Sequence, residues 1–144
     1  MYGKGEKKMI SINKKCYAMA SKDNESAEIT VYGDIVESVP IDLWTGEPVP
    51  GNFFTQEEFL GDLEKLGKCK NITIRMNSYG GDCVVAFLVH NRLREMARNG
   101  KKLTCIVDGV AMSAGSVIMS ACDTVKVNAS SLIMIHKCWS FLFG

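Results

Sequence analysis

The sequence predicts an α/β fold with a mainly parallel sheet, and three observations carry that expectation. Short β-branched segments alternate with stretches of helical period in the order strand, helix, strand, helix, strand, helix, strand, strand. Such alternation builds parallel sheets through right-handed crossovers. A chain of 144 residues, 47% hydrophobic and 23% charged, suits one globular domain that buries about two thirds of its unfolded surface. Three chemically unusual points, Gly80-Gly81, Ser113 and His136, fall at carboxyl ends of expected strands, where open α/β sheets gather their sites.

The elements follow in order. The first 22 residues set Lys4, Lys7, Lys8, Lys14, Lys15 and Lys22 against Glu6 alone. They read as a solvated, flexible segment, so residues 1–27 are set apart from a domain at 28–144. "EITVYGDIV" (Glu28–Val36) is a strand with a turn at Gly33-Asp34. "VPIDLWTGEPVPG" holds all three prolines and two glycines and is a loop. Thr55-Gln56-Glu57-Glu58 fits a capping box. It opens a helix to about Leu66 with Phe59, Leu63 and Leu66 on one face and Gly67 as its stop. "NITIRMNS" is a strand that ends in a turn at Ser78–Gly81. Asp82 caps a second helix to about Arg98, with Val85, Leu88, Val89, Leu93 and Met96 inward. "KLTCIVDG" is a strand, Ser113 to Ala121 a short buried helix, and "TVKVN" and "SLIMIH" two further strands joined around Asn128–Ser130.

The bulk chemistry excludes several classes. A net charge of +1 argues against a nucleic-acid binder. No apolar run reaches the length of a membrane span, and the N-terminus lacks a signal-type apolar core. The cysteines at 16, 69, 83, 105, 122 and 138 form no C-x-x-C pair, which speaks against a zinc site of the usual spacing. Cys105 and Cys122 read as small buried hydrophobes. The absence of a disulfide framework favours a reducing, cytoplasmic compartment.

At "DGVAMSAG" (Asp108–Gly115) a hydroxyl stands among small apolar residues after a strand. Two readings are open. Ser113 can cap the following helix. It can equally be a nucleophile lifted by the strand-to-helix turn, with Ala111, Ala114 and Gly115 leaving room for a substrate carbonyl and the first helical amides as oxyanion donors. Gly80-Gly81 is either a tight turn or a place where a backbone amide meets a ligand. Of the two histidines, His90 lies mid-helix and reads as structural, while His136 ends a strand, as a satisfied polar group or as a general base.

"MNSYGGD", "DGVAMSAG" and "SLIMIHK", in this order and near this spacing, resemble the Clp protease proteolytic subunit family. "AEITVYGDIV" and the lysine-bearing start bring the phage prohead, or capsid maturation, proteases of that fold closer still. The resemblance runs from about Glu28 to His136. It implies a crotonase-like spiral of ββα units and a serine endopeptidase. Ser113 falls on the nucleophile, His136 on the base, and Gly81 and Ala114 on the oxyanion donors. Gly80 and Met112 fall beside them as substrate-binding residues. The chemistry is acyl transfer without metal or organic cofactor. The resemblance further implies a polypeptide substrate, in the phage setting a capsid or scaffold protein, and a ring-shaped homo-oligomer in a bacterial host cytoplasm. The peptidase is read as ATP-independent, with an ATPase partner left open. The family's third triad member is an aspartate after the histidine, and only "KCWSFLFG" follows here. Asp108 and Asp123 match no triad position. The chain therefore reads as the front part of a longer protease, lacking the C-terminal helices and weak or inactive by itself. Two rival readings are a catalytically silent structural subunit of a protease ring and a crotonase-type acyl-CoA enzyme, which shares the two-donor hole.

Overall fold

The computed structural model describes residues 19–23 and 25–138. Most of the basic segment, the apolar end at 139–144 and the side chain of Leu63 lie outside them. The elements are β1 (Met19–Asp23), β2 (Ser26–Val36), β3 (Phe53–Thr55), α1 (Gln56–Gly67), β4 (Asn71–Gly81), α2 (Cys83–Arg98), β5 (Lys102–Met112), α3 (Ala114–Met119), β6 (Thr124–Val127) and β7 (Leu132–Met134).

One seven-stranded sheet runs β1-β2-β4-β5-β6, with β3 added to β2 and β7 to β5. Every pairing except β1 with β2 is parallel. β1 and β3 share one edge of β2: β1 pairs with its first half and β3 with residues 34–36. At the other side β6 pairs with the middle of β5 and β7 with its last residues, 110–112. The strand order from β2 to β6 advances in one direction, so right-handed crossovers place all three helices on one face. That face holds the core. Ile29, Val31, Ile72, Ile74, Met76, Leu103, Cys105 and Val107 alternate inward along three strands and meet Phe59 and Leu66 of α1, Val85, Ala86, Val89 and Leu93 of α2, and Ala114 and Ile118 of α3. The opposite face carries half-buried Thr30, Tyr32, Arg75 and Asp108.

The local signals act as expected at both long helices. Thr55 Oγ1 accepts from the Glu58 amide at 3.2 Å and donates to its carboxylate at 3.2 Å. Asp82 accepts from the amides of Val84 and Val85 at 2.7 and 3.0 Å. Lys101 supplies an unforeseen C-terminal lock. Its ammonium donates to the carbonyls of Leu66, Gly67 and Cys69 at 3.1, 2.7 and 2.5 Å, at the C-terminal end of α1, where a cation also suits the helix dipole.

Several expectations need correction. Gly33-Asp34 is not a turn: β2 continues through it with a register shift. Gly33 takes φ +86°, and a Cβ there would lie 2.1 Å from the Asn52 carbonyl oxygen, which accepts the Asp34 amide at 2.9 Å. Gly80 and Gly81 are likewise strand, paired with Asp34 and Ile35, rather than a turn. β1 and β3 were not expected as strands; each is short and exists through its pairing with β2. β7 stops at Met134, so His136 stands two residues beyond it instead of closing it. Among the described residues no helix is long and apolar enough to cross a membrane.

Candidate active site

Ser113 has φ 51° and ψ −122°, and among the described residues it is the one non-glycine with positive φ. It precedes α3, yet its side chain makes no capping bond. The turn is held by other groups. The Ser113 amide donates to the Met134 carbonyl at 3.0 Å, and the Ser113 carbonyl accepts from the amide and hydroxyl of Ser116 at 2.9 and 2.6 Å. The reading of Ser113 as a helix cap therefore fails: its hydroxyl is spent on nothing local while the backbone is strained, a combination that persists only where the surroundings enforce it.

Gly80 lies directly against this turn. A Cβ on it would come within 2.7 Å of Ser113 Cβ, 3.0 Å of the Met112 carbonyl oxygen and 3.2 Å of the Ala114 amide nitrogen. Its φ of +115° excludes most side chains a second time. Ser78, fully buried, fixes the strand end: its hydroxyl donates to the Gly33 carbonyl at 2.6 Å and accepts from the Gly80 amide at 3.1 Å. Gly81 faces the other way, toward β2. A Cβ there would sit 2.1 Å from the Ile35 carbonyl oxygen, which accepts the Asp82 amide at 2.8 Å. Gly80 thus meets Met112, Ser113 and Ala114 at the carboxyl ends of β4 and β5, while Gly81, the next residue, packs against Ile35 of β2. Ser78 and Ser116 belong to the same construction and were missed; a serine beside each small-residue turn is the only sequence signal for them.

His136 is brought to the same end by β7. Met112 pairs with Met134, whose carbonyl holds the Ser113 amide, and His136 follows two residues later. It is exposed, and its Nδ1 lies 2.7 Å from the Lys137 carbonyl. An acceptor there calls for a proton on Nδ1. Among the described residues no hydrogen bond joins Ser113 to His136 and no carboxylate contacts the imidazole. Asp108 is held across three strands by the Arg75 guanidinium, with Nε at 2.8 Å and a second contact from the terminal nitrogen, and by the Tyr32 hydroxyl at 2.7 Å. Burial, then the hydrogen bond and charge of Asp108, push the Tyr32 phenol above its usual range. Asp123 accepts from the Leu103 amide at 3.0 Å and pairs with Arg94 at 3.4 Å. Among the described residues the hydrogen-bond partner of His90 is its neighbour Asn91, at 3.3 Å. Among the described residues no three His, Cys, Asp or Glu side chains come together as a metal site would require.

Among curated proteins none matches the chain. The Clp protease family model matches residues 54–144, a span that begins in β3 and contains Gly80, Gly81, Ser113, Ala114 and His136. With more than half of its length matched by that one model, and with the mixed α/β architecture the family's fold requires, the chain belongs to the Clp protease family.

Proposed function

We propose that the chain is a serine endopeptidase in which Ser113 is the nucleophile, His136 the general base, and the amides of Gly81 and Ala114 the oxyanion donors. The observation that carries this reading is the left-handed Ser113, strained, without a capping bond, and pressed against Gly80, which also abuts the Ala114 amide. A strained serine at a strand-to-helix turn is how a hydroxyl is raised above a sheet beside a backbone amide. Gly81 suits the second donor role. In a parallel ladder alternate residues point to opposite neighbours, and the Ile35 carbonyl already takes the Asp82 amide, so the Gly81 amide is directed away from β2.

In this mechanism Ser113 Oγ attacks the scissile carbonyl and gives its proton to His136 Nε2. The two amides hold the tetrahedral oxyanion, the imidazolium protonates the departing amine, and water repeats the sequence to free Ser113. The Lys137 carbonyl selects the correct tautomer of His136 but carries no charge to stabilise the imidazolium. Loss of the orienting carboxylate costs about four orders of magnitude in a serine protease, so turnover is slow unless a carboxylate from outside the described residues reaches His136. The finer assignment is a prohead-type, ATP-independent enzyme acting on a capsid or scaffold polypeptide in a bacterial cytoplasm, assembled from several copies.

A second reading, a catalytically silent ring subunit, is favoured by one fact: among the described residues His136 makes no hydrogen bond to Ser113 and none to a carboxylate. Labelling with a fluorophosphonate separates the two. The peptidase reading expects slow, single-site modification of Ser113, suppressed by His136→Ala and untouched by His90→Ala, located by mass spectrometry of the labelled peptide. Label on Ser116 or Ser120, or labelling indifferent to His136, supports the silent subunit.

A further inference from the structure

Two thiols meet beside the site. Cys138 Sγ lies 3.3 Å from Cys83 Sγ, although 55 positions separate them in sequence. Cys83 opens α2, two residues after Gly81, and Cys138 follows His136 by two. The chain from Met134 to Cys138 is therefore anchored at both ends, by the Ser113 amide at one and by the start of α2 at the other, with His136 between. We propose that Cys83 and Cys138 form a modification site: a peroxide joins them in a disulfide that fastens the His136 segment to α2.

The geometry needs little change. The sulfurs must close from 3.3 Å to the roughly 2.05 Å of a covalent S–S bond. Exposure sets the order of events. Cys138 is exposed and Cys83 half-buried, so peroxide meets Cys138 first. The hydrogen bond from Cys138, and then burial, push the Cys83 thiol up. The Cys138 thiolate attacks the peroxide oxygen, giving a sulfenic acid and hydroxide. Cys83 sulfur then attacks the sulfenic sulfur and water leaves. Overall two thiols lose two hydrogens and one hydrogen peroxide becomes two waters. The other described cysteines lack this combination. Cys69 and Cys105 are buried, and Cys122, hydrogen-bonded to Cys105 and desolvated, is held strongly in its thiol form.

The test treats the full chain with dilute hydrogen peroxide and maps tryptic peptides without reductant. The expected result is one intramolecular species, lighter by two hydrogen atoms, with the Cys83 and Cys138 peptides joined and released by dithiothreitol. Cys83→Ser and Cys138→Ser each abolish it, and Cys69→Ser leaves it. A sulfinic acid on Cys138 with Cys83 still free, a bridge to Cys16, or bridges only between chains would overturn the proposal. The readout is mass alone, so it stands or falls independently of Ser113 being a nucleophile.

Discussion

Gly80 and Ser113 approach so closely that a Cβ on the glycine would stand 2.7 Å from the Cβ of the serine. The two residues lie on neighbouring strand ends, and both have positive φ. Gly80→Ala should therefore destabilise the chain by about 1–3 kcal/mol and lower fluorophosphonate labelling at Ser113 at least tenfold. Gly46 also has positive φ, at +70°, but a Cβ there meets nothing within 4 Å. Gly46→Ala should cost only about 1 kcal/mol and spare labelling. Equal labelling losses in the two variants would mean that close approach at Gly80 is not what shapes the turn.

Asp108 separates structure from chemistry. Its carboxylate ties Tyr32 of β2 and Arg75 of β4 to β5, and it does not contact His136. Asp108→Asn should cost about 1–2 kcal/mol in chemical denaturation while leaving the rate of Ser113 labelling within twofold. A loss of several orders of magnitude would make Asp108 the missing triad member.

The same cluster gives a pH dependence. The Tyr32 phenol is raised in the folded chain, first by burial and then by Asp108. Its stabilisation is complete below the unfolded value of 10.0 and is lost as pH rises through the higher folded value. The stability difference between the parent and Tyr32→Phe should thus be flat up to about pH 9.5 and shrink above pH 10. Melts in buffers spanning that window read it; a difference that stays level to about pH 11 would contradict the assignment.

Lys101 reaches the carbonyls that end α1. Replacing it by methionine keeps the apolar stem and removes the charge. Unfolding in urea should show a loss of about 1–3 kcal/mol, with no effect on Ser113 labelling. An unchanged midpoint would show that water serves those carbonyls equally well.

β6 and β7 form the outer edge of β5 and leave Val125, Val127, Leu132 and Ile133 exposed. An apolar edge strand of this kind invites another chain. Light scattering on the full chain should give a mass above that of one copy, and Val127→Lys with Ile133→Lys should shift it toward the monomer. A monomeric parent chain would remove the support this edge lends to self-assembly.

The sequence by itself determined the alternation of elements, both helix caps and the inward faces of α1 and α2, because these depend on spacings of three or four residues that a single segment carries. Thr55 with Glu58, and Asp82 with the amides of Val84 and Val85, are local bonds and were legible as such. The "MSAG" turn was legible as a candidate site, since a hydroxyl among small residues after a strand is a local pattern. Tertiary structure decided the rest. Gly33, Gly80 and Gly81 look like turns in isolation, yet parallel pairing between β2 and β4 draws them into strands. Pairing with β2 also makes strands of β1 and β3. That Ser113 does not cap α3 depends on Ser116 and on a carbonyl from β7. That Asp108 is occupied depends on Tyr32 and Arg75, 76 and 33 positions away. The meeting of Cys83 with Cys138 arises only when the sheet brings the span after β7 against the start of α2. These contacts join residues tens of positions apart, and no periodicity within one segment encodes a neighbour that another strand supplies.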